Sequence, residues 1–243
     1  MINMKNDDIV VVDGITLTPY AIAIIKNKNI GVISDLHIGM EELSLLTSRL
    51  QTAEMLKTTL YCIEKYELKK LVIAGDIKQG FGKNVIQEWE EIKQFFEFIR
   101  EKVDIILIKG NHDFYIKNII KDLDDIKEHD FYKIENYIIS HGHKKILRGN
   151  ETLIIGNEHP AITIRDEVGA RVKLRAYLWA EKEKLLVLPS FNPLTKGTNV
   201  LSANDWLSDE MKNIDTDAMK IYAIEEDSIF YFGSVRDLKI LFK

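Results

Sequence analysis

Three short apolar runs, Ile30–Ile33, Leu71–Ala74 and Ile105–Ile108, are separated by two stretches of helical periodicity. Leu46, Leu50, Ala53, Leu56, Leu60 and Ile63 mark the first helix; Val85, Ile86, Trp89, Ile92, Phe96 and Ile99 mark the second. Apolar residues at that spacing share one helix face, and β-branched runs suit a pleated surface buried on both sides. Strand, helix, strand in alternation predicts right-handed crossovers and a parallel sheet. Each strand run ends in a polar cluster: Asp35-Leu36-His37, then Gly75-Asp76, then Gly110-Asn111-His112-Asp113. Sites in such sheets form outside the carboxyl ends of the strands, so these clusters are expected on one edge. In an extended chain Asp35 and His37, two apart, would point to the same side.

The rest of the chain reads differently. Ile9–Val12 and 21–25, separated by the turn signal Asp13-Gly14, read as an N-terminal strand pair. After residue 130 short strand-like runs replace helical periodicity, which predicts a second, mostly antiparallel sheet packed on the first. Two more polar clusters close strand runs there, His141-Gly142-His143 and Gly156-Asn157-Glu158-His159-Pro160. With only four prolines in 243 residues and no linker-like stretch, one domain spanning residues 1–243 is expected.

Composition narrows the partners. No apolar run approaches the roughly 18 residues needed to span a bilayer. Asp7 and Asp8 precede the first apolar run, where a signal peptide would carry positive charge. The single cysteine, Cys62, cannot form an internal disulfide and fits a reducing cytoplasm. A net charge of −5 argues against a broad phosphate-tracking surface, though not against a local basic patch.

Five of the six histidines lie in the polar clusters; only His129, within a charged stretch, does not. Independent core histidines would not all follow apolar runs beside glycine, Asp or Asn. The ordered set D-x-H, G-D, G-N-H-D, H-G-H, G-N-x-H resembles the calcineurin-like metallophosphoesterase superfamily. It is most similar to the small SbcD-related phosphoesterases of archaea, which 159–162 and Leu188-Pro189-Ser190-Phe191-Asn192-Pro193 also resemble. The resemblance spans roughly residues 32–199. It implies an α/β fold, a four-layer α/β/β/α sandwich of two mixed sheets flanked by helices, with a two-metal centre between loops of the inner sheets.

Carried over residue by residue, the resemblance implies that Asp35, His37, Asp76 and His159 hold one metal. Asp76, Asn111 and His141 hold the other, so Asp76 bridges. His112 contacts the scissile phosphate and assists the leaving group, Asp113 orients His112, and His143 touches substrate or braces His141. Two cations about 3.5–4 Å apart neutralise a phosphodiester and clamp both reacting oxygens, and a hydroxide between them attacks. Mixed imidazole and carboxylate donors suit manganese first, with iron, cobalt, nickel or zinc as alternatives. Members of the family often have G-H-x-H in the last motif. Here Asn157 stands in the first histidine's place, so the second metal loses an imidazole that the Asn157 amide oxygen, Glu158 or water would replace. Gln79 replaces the tyrosine of purple acid phosphatases. Ile77-Lys78-Gln79-Gly80 lacks the aspartate and arginine of Ser/Thr protein phosphatases.

Arg171, Lys173 and Arg175 share one face of a strand; Arg171 and Arg175 are candidate substrate contacts alongside His143. Lys144, Lys145 and Arg148 follow the H-G-H motif, and Asn192 and Lys196 are candidates for the rim. The expected activity is hydrolysis of small, nucleotide-like phosphodiesters. An SbcD-like DNA nuclease is the second reading, disfavoured by the acidic charge and the lack of sequence for a DNA-capping domain. A binding module on the same fold is the third, and it would be expected to have lost His112 or Asp76. The sequence does not define the oligomeric state.

Overall fold

The parallel core predicted by the alternation runs from the middle of the first sheet to one edge. The computed structural model describes residues 10–40, 50–80, 86–123, 125–165, 169, 171–195 and 197–241. Among these, β4 (Ile30–Ile33), β5 (Lys70–Ala74), β6 (Asp104–Ile108) and β7 (Lys127–His129) lie side by side and parallel. β1 (Val10–Val12), β2 (Ile15–Leu17) and β3 (Ala23–Ile25) extend this sheet as an antiparallel meander. The expected N-terminal strand pair is therefore a set of three. Asp13 and Gly14, at φ 46° and 78°, make the two-residue hairpin turn that pairs Val12 with Ile15. The extra strand Ile15-Thr16-Leu17 is buried throughout, but Thr16 breaks its apolar run.

Helices α1 (Leu50–Lys65) and α2 (Ile86–Arg100) supply Met55, Cys62, Ile63, Ile92, Phe95, Phe96 and Ile99 to the core shared with this sheet. Ile9, Leu46–Arg49 and Val85, read from sequence as parts of a strand and two helices, lie outside the described residues. The short α3 (Ile116–Ile119) follows the G-N-H-D cluster.

The second sheet runs in the order β14 (Thr198–Asn199), β11 (Pro160–Arg165), β12 (Arg171–Ala180), β13 (Leu185–Val187), β10 (Thr152–Ile155), β9 (Tyr137–Ser140), β8 (Phe131–Ile134). β15 (Lys220–Glu225) branches from β12 and carries β16 (Ser228–Ser234). The sheet is more mixed than expected, because β9–β10, β10–β13 and β11–β14 are parallel. The pairing matters for the site: parallel β9 and β10 end on the same side, which brings H-G-H beside G-N-x-H.

Side chains alternate across this sheet as a pleat requires. Ile139, Ile154, Tyr177, Trp179, Leu186 and Tyr222 join the core shared with the first sheet. Their neighbours Ile138, Leu153, Ile155, Leu178, Val187 and Ile221 face the other way, onto Met211 of α4 (Asp209–Lys212) and Val235 and Leu238 of α5 (Val235–Leu241). The layers are thus helix, sheet, sheet, helix.

Candidate metal centre

The carboxyl ends of β4, β5, β6, β9 and β10 deliver one histidine or carboxylate cluster each, and the clusters meet. Among the described residues, three overlapping groups have ligand atoms within 4.8 Å of one another: Asp35, His37 and His159; His37, Asp76 and His112; Asp35, Asp76 and His141. His37 Nε2 and His159 Nε2 are 3.3 Å apart, and His159 Nε2 lies 3.1 Å from Asp35 Oδ1. On the other side of Asp76, His141 Nε2 is 3.3 Å from Asp76 Oδ1 and 3.1 Å from the side-chain oxygen of Asn111.

Backbone geometry at the centre is unusual. Asp35, His37, Asp76, Asn157 and His159 all have left-handed φ, between 43° and 67°. This conformation costs an L-residue roughly 1–2 kcal/mol and persists only where surrounding structure enforces it. Asp35 and His37 therefore converge through two successive turns, not through the extended chain that their spacing suggests. Two features enforce the turns. The loops after β4 and β5 stay paired, with Asp35 N–H donating to Gly75 O (3.1 Å), His37 N–H to Asp76 O (2.9 Å) and Ile38 N–H to Ile77 O (2.8 Å). The loop after β13 braces them from behind. Phe191 N–H donates to Ser34 O (2.8 Å), Ser190 Oγ to Asp35 O (2.8 Å) and Asn192 Nδ2 to Leu36 O (2.8 Å).

Two glycines are required by close approach. A Cβ on Gly110 would stand 2.1 Å from Asp76 Oδ1, and one on Gly75 would stand 2.5 Å from the His141 ring. These motif glycines let the Asp76 and His141 side chains reach the same point.

Second partners set which nitrogen of each ring is free. His141 Nδ1–H donates to Ala74 O (2.9 Å), so Nε2 faces Asp76 and Asn111. His112 Nδ1–H donates to Gln79 O (3.0 Å), which leaves Nε2 toward Asp76 Oδ2 at 3.8 Å. Such partners commonly fix the tautomer of a metal-binding imidazole.

Burial alone would raise the Asp35 carboxyl. The imidazoles of His159, His141 and His37 outweigh it and hold the group well below the usual carboxylate range. Burial pushes His37 down to about 4, so its imidazole is neutral and free to donate a lone pair. Burial also opposes charge on His141, but its hydrogen bond to Asp76 and the charge of Asp35 raise it to about 9. A proton and a cation would compete for that nitrogen. Among the described residues, Asp35 Oδ1 and His37 Nδ1 are buried with no well-formed hydrogen bond. A buried carboxylate oxygen aimed at converging imidazoles fits a divalent cation, as does the mixed N and O donor set.

The sequence-predicted ligands Asp35, His37, Asp76, Asn111, His141 and His159 are all brought together. Asn157 arrives by its backbone, its N–H donating to Asp35 Oδ2 at 3.0 Å. Glu158 turns away. Its carboxylate accepts Ser208 N–H (2.6 Å), Ser208 Oγ–H (2.7 Å) and Leu207 N–H (3.0 Å), at the start of α4. Asp113 differs from expectation. Its oxygens accept the backbone N–H groups of Ile77 (2.8 Å) and Gly110 (2.8 Å), so it ties two site loops together, while the partner of His112 Nδ1 is Gln79.

The expected substrate contacts separate. His143 lies beside the cluster, its ring 5.2 Å from that of His141, and among the described residues its Nδ1 has no partner. Arg175 is engaged elsewhere: Nη1 donates to the carbonyls of Ser190 (3.1 Å) and Phe191 (3.0 Å), which fixes the bracing loop. Arg171 is exposed, four residues and so about 13 Å further along β12. Asn192 is fully buried as a brace, not a rim residue, and Lys196 lies outside the described residues. Arg148 donates to Glu151 O (2.6 Å), and Lys144 pairs with Asp130 (2.8 Å).

Sequence reasoning missed Glu88. It lies on α2 and is 2% exposed, and its Oε1 accepts the N–H groups of Gln79 (3.0 Å) and Gly80 (2.8 Å). The fully buried Lys78 ammonium stands 3.4 Å from Oε2. This pair holds the turn whose Gln79 carbonyl orients His112. A glutamate in the first turn of an amphipathic helix is ordinary in sequence, so the only available signal was the glycine at 80 beside it.

A family model described as calcineurin-like phosphoesterase matches residues 28–222. Among solved structures, the nuclease MPE of Pseudomonas putida superposes with a TM-score of 0.67 over 90% of this chain and 94% of its own, at 18% identity. No curated protein matches the chain. The family match covers every strand end that feeds the Asp and His cluster, and the superposition reproduces the layered fold around it; the chain belongs to the calcineurin-like phosphoesterase family.

Proposed function

We propose that the protein is a dinuclear metal-dependent phosphodiesterase acting on small nucleotide-like diesters. The observation that carries this reading is the position of Asp76. Its Oδ1 faces His141 and its Oδ2 faces His37 and His112, so one carboxylate serves two donor groups. Asp35, His37, Asp76 and His159 would hold one cation; Asp76, Asn111 and His141, with Asn157, would hold the other. Two such cations supply Lewis-acid stabilisation of phosphate charge and lower the pKa of water. The chain's own residues do the rest. His112, held through Nδ1 by Gln79, presents Nε2 to the leaving oxygen and donates a proton there. His143 contacts the bound phosphate from the rim. Manganese is the expected metal, because the second position is rich in oxygen donors.

A diester should be preferred over a monoester. A monoester's additional charge calls for further cationic donors, and both Arg175 and Arg148 already donate to backbone carbonyls. With manganese, kcat/KM for bis-p-nitrophenyl phosphate is expected to exceed that for p-nitrophenyl phosphate at least about tenfold. A higher value for the monoester would overturn the reading.

The departure at Asn157 gives a further expectation. An amide oxygen is a weaker donor than imidazole for transition metals, so the second cation should bind more loosely than the first. Calorimetry of Mn²⁺ binding to chelator-treated protein should resolve a tight and a weak site. Asn157→His should tighten the weak one. Two equally tight sites, or no change on substitution, would mean that the Asn157 side chain has no part in the shell.

The second reading, a nuclease, is favoured by one observation: the superposed Pseudomonas protein is described as a nuclease. Single-stranded DNA belongs in the same substrate panel.

A further inference from the structure

The G-N-H-D cluster runs directly into two aromatic residues, Phe114 and Tyr115, that the metal chemistry does not use. Phe114 is 53% exposed and Tyr115 40% exposed, although both are large apolar side chains. Tyr115 has φ 69°, a conformation bulky residues rarely adopt, and it opens α3. The turn is pinned from below: Asp113 is 1% exposed and fastens to Ile77 and Gly110, and Ile116 N–H donates to Asp113 O at 3.2 Å. A rigid turn thus presents two aromatic rings to solvent. Phe114 is two residues from His112, at most about 7 Å of chain.

A cation stands beside one of the rings. Lys109 Nζ lies 5.9 Å from the centre of the Phe114 ring. The Lys109 backbone N–H donates to His129 O (2.9 Å), and Asp130, the next residue, pairs with Lys144 (2.8 Å), which follows His143 in the chain. An exposed aromatic ring with a lysine beside it, close in the chain to the candidate metal centre, matches what a nucleotide presents, a flat base joined to a negative backbone. An aliphatic diester has nothing to place on Phe114, and a folded protein partner would have to leave the site's mouth open for substrate.

We propose that Phe114, with Lys109 beside it and Tyr115 next in the turn, forms a nucleobase-stacking subsite, so that the diesters taken by this centre carry a nucleoside next to the scissile phosphate. The inference rests on the phosphodiesterase reading for its catalytic part but not for its binding part.

The experiment compares two esters with the same leaving group, thymidine 5′-p-nitrophenyl phosphate and methyl p-nitrophenyl phosphate, with manganese. The wild type should prefer the thymidine ester, mainly through KM. Phe114→Ala should reduce that preference about five- to 100-fold, the range for losing one base stack. Phe114→Trp should keep it. An unchanged preference in Phe114→Ala, or none in the wild type, overturns the proposal. A binding arm separates this from failure of the enzymatic reading. Anisotropy of fluorescein-labelled oligothymidylate is measured with chelator present, on wild-type and Phe114→Ala proteins matched by circular dichroism and Tm. Weaker binding by the variant supports the subsite even if neither ester is cleaved. Absence of wild-type binding, or equal affinity for both proteins, overturns it. Hydrolysis of neither ester, by contrast, sinks only the phosphodiesterase reading.

Discussion

Asp76→Asn is expected to lose metal and activity together. Asp76 is 2% exposed, and its two oxygens face different sets of donors: Oδ1 lies 3.3 Å from His141 Nε2, and Oδ2 lies 4.0 Å from His37 Nε2 and 3.8 Å from His112 Nε2. Asparagine has the same shape but only one oxygen. Its NH₂ is a donor, has no lone pair to offer a cation and would meet imidazole nitrogens on whichever side it points. On the two-cation reading one site would lose a ligand, and the negative charge that both cations would share would be gone. Removing one charge-stabilising group at a reaction centre typically costs 10²–10³ in rate, and on the two-cation reading both cations would depend on the same carboxylate. The loss should therefore be at least about 10³-fold. The buried fold should survive, since the change is isosteric and the hydrogen bond from His112 N–H to Oδ1 (2.9 Å) can be kept by an amide oxygen. Elemental analysis and Mn²⁺ calorimetry on the folded variant give the test. Two metals retained at wild-type affinity would remove Asp76 from the bridging role.

The contrast between Asp76 and its supports explains what sequence could reveal. Ligand types stood where strands ended, so alternation of β and α runs was enough to bring Asp35, Asp76 and Asn111 to one edge. Parallel β9 and β10 did the same for His141 and His159. Side-chain direction was not legible in that way. Left-handed φ at Asp35 and His37 follows from hydrogen bonds to Ser190, Phe191 and Asn192, about 155 residues later in the chain. No local pattern encodes such a contact. The same holds for the basic residues. Arg171 and Arg175 are equivalent by strand periodicity, yet one is exposed and the other donates to two carbonyls between the sheets. Asp113 shows the limit most clearly. Its place beside His112 suggested a partner for that ring, but a buried carboxylate is satisfied by whichever donors surround it, and these are the backbone amides of two neighbouring loops.

His112→Ala is expected to keep both metals and lower kcat by about 10²–10⁴, the range for a general acid. The competing role is real in the geometry, since His112 Nε2 belongs to one of the three clusters of ligand atoms, with His37 and Asp76. Two observations bear on the proton-donor role. The His112 side chain is 17% exposed, against 0% and 4% for His141 and His37, an openness it shares with His159 at 21%. The His112 Nδ1–H is committed to the Gln79 carbonyl on a turn held by Glu88, which holds Nε2 at a fixed angle beside Asp76. A residue that protonates a leaving oxygen matters most when that oxygen is a poor leaving group, and a metal ligand matters equally for all substrates. The variant should therefore lose more activity on an alkyl or nucleoside leaving group than on p-nitrophenolate. Calorimetric Mn²⁺ affinities should stay within a few-fold of wild type. Uniform loss across leaving groups, together with a missing metal in a folded protein, would make His112 a ligand, and the proton would then have to come from another group at the rim, of which His143 is the nearest candidate.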